Sequence, residues 1–446
     1  MGQHRGHERT SVRPVNRDRY VDFLRAWAIG AVVFGHWLIT GLVRGDGGEI
    51  RAPELLAEMP WTQWLTLLFQ VMPLFFFAGG HAAGGSWERH RDAGGRAAGW
   101  VGLRALRLLL PTGVYCGVVL VAVGVSAAVG VDPYTLALVG WALAMQFWFL
   151  PVYLVLSALT PVLHAAHRRW GVFVPVALGA AALVTGALGV GLLNHVLVWG
   201  VAYQLGFCRR DGLLGGRPLG AAAMAAGGGL AFALLVGPGP YPVSLILVTG
   251  QDPSNTNPPS AAMLAWVVAQ VGVCLLLAPP LRRVLARERL WRRVRVVSGV
   301  SMTLYLWHMV PVLVVAAVLY LPGLAPEPGF GSPAWWAWRV PWLLVLGGVL
   351  AGLVVGLRPL ERGVGAVYAR VGPRARPGWS WALWLGLVAC VAALSRFAVR
   401  GFAPDGRLPV APTVGVGLGI ALVVLSGWRT DVRRERSAKS ALDEVA

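Results

Sequence analysis

Three short stretches of the sequence carry side chains able to do chemistry. The first runs from Asp22 through Arg25 to His36. As a helix it puts Asp22 and Arg25 three residues apart on one face, which predicts an ion pair. His36 follows eleven residues after Arg25, three turns and roughly 16 Å up the same face. Neutral imidazole, with an ordinary pKa near ~6.5, takes up a proton readily at physiological pH, and histidine also acts as a nucleophile. The second stretch holds Ser301, Tyr305 and His308, spaced i, i+4 and i+7 on one helical face. The third is Arg104-Ala105-Leu106-Arg107. Arginine's planar fork suits phosphate, so with Arg25 this pair would make a basic mouth for a phosphorylated donor. Each stretch has a plainer alternative: a structural histidine at 36, inter-helix hydrogen bonding around 305–308, and ordinary loop arginines at 104 and 107.

The elements that must position these residues are membrane helices. Hydrophobic residues make up 56% of the 446-residue chain and charged residues only 13%, against about 25% charge in a soluble domain. Twelve apolar runs lie near 21–43, 61–80, 103–128, 143–163, 172–189, 191–208, 219–236, 262–280, 297–320, 340–357, 379–397 and 411–428. Each is of the length that crosses a bilayer core of ~30 Å, and in lipid such runs must be helical. The prediction is an all-α integral membrane protein of about twelve transmembrane helices. His36 and His308 are then expected near mid-membrane, able to meet in one cavity. Residues 134–163 are apolar for longer than one span requires, with Pro151 inside, so their first part reads as a candidate interfacial helix, and 241–250 are apolar but too short to cross.

Arginine placement gives the orientation. Seven alternate segments, 5–19, 89–107, 168–169, 209–217, 282–295, 358–376 and 429–439, hold 32 of the 39 basic residues. The intervening ones hold six (Arg44, Arg51, Arg339, Arg396, Arg400 and Arg407), and Arg25 lies inside the first run. Basic excess marks the cytoplasmic side, so both termini are expected there and the 321–339 loop outside, in the cell membrane. A charge of +19 spread over short loops does not describe a nucleic-acid binder. Cys116, Cys208, Cys274 and Cys390 fall within spans, without metal or disulfide spacing. One lysine among 39 basic residues suggests a high-GC bacterial source. No internal repeat is evident, which counts against a transporter built of inverted halves.

Five segments in order resemble the membrane acyltransferase-3 family. They are Arg25 with His36, Met72-Pro73-Leu74-Phe75-Phe76-Phe77, Arg104 with Arg107, Phe147-Trp148-Phe149-Leu150-Pro151-Val152-Tyr153-Leu154, and Tyr305-Leu306-Trp307-His308. The second departs from the family's usual Ser-Gly-Phe continuation, reading Ala78-Gly79-Gly80-His81. The resemblance divides the chain into a basic arm (1–19), a ten-helix core (20–357), a loop (358–378), two added helices (379–428) and a tail (429–446).

What the resemblance implies is transfer of an acyl group from acyl-CoA to a hydroxyl on a glycan, lipid-linked sugar or small natural product; no metal is expected, because no cluster of carboxylates and histidines has ligand spacing. His36 would be general base or transient acyl carrier, Asp22 would orient Arg25, and Arg25, Arg104 and Arg107 would hold the donor. His308, Tyr305, Ser301 and Trp148 would serve the acceptor. The rival readings are a multi-spanning transporter or flippase, which also needs intramembrane polar groups, and a non-catalytic scaffold.

Overall fold

The computed structural model describes residues 18–45, 50–216, 218–371 and 378–427. The basic arm before Asp18 and the tail from residue 428 lie outside that range. α1 (Arg19–Ile39) begins where Asp18 accepts the Tyr20 backbone N–H at 3.0 Å, a side-chain N-cap. After short helical turns between residues 55 and 69 come α2 (Met72–Asp92), α3 (Ala97–Ala128), α4 (Pro133–Ala142), α5 (Phe149–Trp170), α6 (Phe173–Ala187), α7 (Asn194–Arg210) and α8 (Pro218–Val236). The chain continues through α9 (Ala261–Leu285), α10 (Glu288–Gly299), α11 (Ser301–Trp307), α12 (Val310–Val315), α13 (Pro333–Gly356), α14 (Arg358–Ala369), α15 (Ser380–Arg400) and α16 (Val410–Gly427). A two-residue strand pair, Val43–Arg44 with Ile50–Arg51, closes the loop after α1.

Helices occupy all twelve apolar runs. Among the described residues nine helices are long and apolar enough to cross a membrane, or ten if the bent pair Ser301–Trp307 and Val310–Tyr320 is one span. The remaining runs give α6 and α7, of 15 and 17 residues, short of the ~20 that a full crossing takes. In α7 the polar Asn194, His195 and Gln204 also interrupt the apolar run. Nine or ten of the twelve expected spans thus meet that length and composition among the described residues.

Large apolar side chains face outward, with Leu219 85% and Val121 68% exposed. Asp22, Gln146, His308 and Arg339 are buried instead. A water-soluble protein shows the opposite distribution, and a bundle solvated by lipid shows this one. α2 and α7 touch through glycines: a Cβ on Gly80 would meet the Tyr203 carbonyl at 2.0 Å, and one on Gly206 the Phe77 carbonyl at 2.2 Å. Close approach of this kind is how membrane helices gain packing contacts. It accounts for Gly80 where the family pattern has a phenylalanine.

Several boundaries differ from those expected. Residues 134–163 split into α4, a tight turn at 145–148 and α5. α13 starts seven residues before the apolar run, because Ser332 caps it through the Trp335 N–H and Pro333 fills the first turn. That places Arg339, expected among the outer-loop charges, inside a helix. The segment expected as a loop at 358–378 opens with α14. The 241–250 segment is irregular and folds back, with Gln70 Nε2 donating to the Leu245 carbonyl at 2.6 Å and Leu245 N to Thr66 Oγ1 at 3.0 Å. In the neighbouring loop Asn255 is buried and spends its amide on the Pro242 and Ser244 carbonyls.

Candidate active site

A helix break builds the site. The run at 297–320, expected as one helix, is divided into α10, α11 and α12. Pro311 has no N–H for the Trp307 carbonyl, and its ring crowds that carbonyl. The helix stops at Trp307 and resumes at Val310, bent by 43°. Carbonyls freed by such a break must find new donors in lipid. Here side chains supply them. His308 Nδ1 takes the Tyr305 carbonyl at 2.8 Å, Gln146 Nε2 reaches that of Leu306 at 3.4 Å, and Trp37 Nε1 donates to that of His308 at 2.6 Å.

Into this break comes His36, whose Nδ1 lies 2.7 Å from His308 Nε2. The bonds assign the tautomers. A carbonyl only accepts, so His308 Nδ1 carries a hydrogen and, in the neutral ring, Nε2 is a lone pair. His36 Nδ1 must then be the donor, which leaves His36 Nε2 unprotonated. Nε2 makes no hydrogen bond to another described residue. His308 is fully buried and His36 partly so. The arrangement is a basic nitrogen with its tautomer fixed from behind by a second imidazole and a carbonyl.

Both histidines were expected near mid-membrane. His36 instead occupies the last turn of α1, because the helix starts at Arg19 and runs about 26 Å before reaching it. Thr40 Oγ1 caps the His36 carbonyl at 2.7 Å, and Arg339 Nη1 donates to the Thr40 carbonyl at 2.8 Å. Arg339 is 4% exposed and its guanidinium lies 3.7 Å over the Trp335 ring. Trp342 Nε1 donates to the Trp37 carbonyl at 3.0 Å. α1, α11 and α13 are thereby locked together around the pair.

The other predicted residues fall elsewhere. Arg25 is partly buried and has no hydrogen-bond or ion-pair partner among the described residues, so the pair expected with Asp22 is not formed. Asp22 is buried, its carbonyl accepting from Ser298 Oγ at 3.3 Å. Arg104 bonds Tyr153 Oη at 3.0 Å and the Gly79 carbonyl at 3.4 Å, with its guanidinium 5.3 Å from the Trp100 ring centroid. A Cβ on Gly79 would meet Tyr153 Oη at 2.9 Å, so that glycine keeps Tyr153 and Arg104 in place. Arg107 is exposed and bonds Tyr368 of α14. Tyr305 donates to the Gln146 carbonyl at 2.6 Å, Ser301 bonds the Ser298 carbonyl, and Trp148 packs on Trp199 and Phe149. No hydrogen bond joins any of these seven side chains to the His36 ring among the described residues.

Sequence reasoning missed Trp37, Gln146 and Arg339. Trp37 and Gln146 matter only because α11 breaks, and Pro311 was the available signal. Arg339 was legible as an arginine six residues into a Ser-Pro-capped helix.

Fold and site together define an integral membrane protein with a histidine pair where its first helix meets a broken one. A family model described as an acyltransferase domain matches residues 18–358. The chain belongs to the acyltransferase-3 family, and it is a membrane acyltransferase. Comparison with the curated proteins and with the solved structures gives no match.

Proposed function

We propose that the protein moves an acyl group from acyl-CoA to a hydroxyl of a glycan, lipid-linked sugar or small natural product, with His36 as general base. The observation that carries this is the His36–His308 pair, 2.7 Å apart, with Nε2 of His36 left as the free lone pair. The acceptor oxygen attacks the thioester carbonyl while Nε2 takes its proton. The tetrahedral intermediate collapses, the carbon–sulfur bond breaks, and the sulfur takes the proton returned from Nε2 and leaves as the free thiol. His308 holds the tautomer and shares the charge while the proton resides on His36. Arg25, having no partner of its own among the described residues, is the arginine of the predicted set left unspent for the donor. The basic side of the bundle faces the cytoplasm in this reading, and no metal takes part.

The test is free-thiol release from acetyl-CoA and longer acyl-CoAs by the purified full-length protein, with host glycan and lipid extracts as acceptor source. Wild type should release thiol, and a folded His36→Ala variant should fall by 10²-fold or more, the usual worth of a general base. Equal release by both proteins would remove His36 from the chemistry. Release by neither, even with extracts, would remove acyl-CoA as donor.

A further inference from the structure

A second polar cluster sits at the opposite, basic end of the bundle. Arg209, in the last turn of α7, holds its guanidinium 5.2 Å from the Tyr20 ring centroid. Tyr20 is itself fixed, its hydroxyl donating to the Cys274 carbonyl at 2.6 Å. Two atoms of Arg209, Nε and Nη2, are buried without a hydrogen-bond partner among the described residues. These two N–H groups form one edge of the guanidinium, the edge that grips an oxyanion bidentately. His81 of α2 adds a third orphan, its buried Nδ1, and lies within electrostatic reach of Asp18, Arg209, Arg210 and Arg282. Arg210 is spent on Glu88 at 2.7 Å, a carboxylate shared with His164. Among the described residues the nearby carboxylate left is Asp18, which Arg282 of α9 bonds at 2.8 Å. Arg282 and Arg209 thus both feel this one carboxylate, and three buried nitrogens lack partners among the described residues.

We propose that Arg209, with Arg282 and His81, forms a binding site for a phosphate ester or diphosphate. The site is distinct from the arginines that sequence reasoning had assigned to the donor. Arg104 already bonds Tyr153 and the Gly79 carbonyl, and Arg107 bonds Tyr368. Tyr20 and His36 are sixteen residues apart on α1, about 24 Å along the helix. A ligand spanning both sites therefore carries its phosphates at one end and its reacting carbonyl at the other, on a long arm. This last step rests on the acyl-CoA reading above. An anionic lipid headgroup offers the same chemistry, and the test separates the two.

Full-length protein in phosphatidylcholine nanodiscs is titrated with CoA and with adenosine 3′,5′-bisphosphate. Arg209→Gln should weaken both by about tenfold, the scale of losing one bidentate charged contact. Asp18→Asn keeps an N-cap residue but frees Arg282, so it should tighten both ligands, a gain that misfolding cannot mimic. His36→Ala should bind CoA like wild type. If CoA binding ignores Arg209→Gln but added phosphatidylglycerol raises the Tm of wild type and not of the variant, the phosphate belongs to lipid and the site stands. Indifference of CoA, bisphosphate and phosphatidylglycerol to both Arg209→Gln and Arg282→Gln overturns the proposal. CoA binding that depends on Arg209 without any thiol release would keep this site and sink the transferase reading.

Discussion

At the scale of single residues, the decisive feature is that His308 fixes which nitrogen of His36 is basic. A base whose tautomer is set by a neighbour loses activity when that neighbour goes, even though the base remains. We expect His308→Ala to lower turnover by about 10²-fold while CoA affinity stays unchanged, measured by thiol release beside calorimetry. A matching loss of CoA affinity would mean that the variant had merely lost its fold. Asp18 supplies a pH prediction. Burial raises its carboxyl, but the bond and charge of Arg282, with the Tyr20 N–H, outweigh burial and hold it below the ordinary value. A lowered native pKa contributes stability in full above the unfolded value of about 3.9, and that stability is lost as pH falls through the native one. The Tm gap between wild type and Asp18→Asn should thus be flat from neutral pH to about pH 5 and close in stronger acid. A gap that widened on acidification would contradict the assignment. His36, His308 and Tyr305 were legible from type and spacing, since intramembrane ionisable groups stand out. Asp22 with Arg25 was not: their spacing permits a pair that the tertiary structure does not make.

Among the elements, the broken helix at Pro311 matters most. Proline in a helix interior costs about 3 kcal/mol, and here three freed carbonyls are met by His308, Gln146 and Trp37. Pro311→Ala would restore an N–H to Trp307 and let α11 run into α12. We predict that this variant keeps or raises its Tm in detergent yet loses thiol release by at least about tenfold, because a straight helix withdraws the carbonyls that orient His308 and Trp37. Unchanged release would show that the break is incidental. The apolar run at 297–320 hid this division, because periodicity reports burial and not the one missing N–H. The cap at Ser332 and Pro333 was readable but was outweighed by the tryptophans that made 333–339 look like a loop.

Taken whole, the packed core does not end where the family match ends. α15 and α16 lie beyond residue 358, yet the turn after α15 enters the core. Phe402 and Ala403 are fully buried, and the Phe402 N–H donates to the Gly140 carbonyl at 3.0 Å. The Phe402 ring packs on Phe147 at 5.5 Å and on Tyr115 at 6.1 Å, beside Gln146, which holds Tyr305. Truncation after residue 371 should therefore lower both Tm and thiol release, as read by fluorescence-detected unfolding and the thiol assay. A truncated protein with full activity would show the last hairpin to be an independent appendage.

The distance between the Arg209 cluster and the histidine pair has an electrical meaning. Moving one elementary charge across a membrane at 100 mV involves about 2.3 kcal/mol, and a nucleotide donor carries several negative charges. If the proposed site holds the phosphates at the basic end and only a neutral arm reaches His36, none of those charges would enter the field. In the proposed mechanism the proton would pass from acceptor oxygen to Nε2 to sulfur within one shallow layer at the end of the bundle away from Arg209. Turnover in sealed vesicles should accordingly be indifferent to an imposed potential of either sign, and the cell could acylate at a constant rate while its membrane voltage varies.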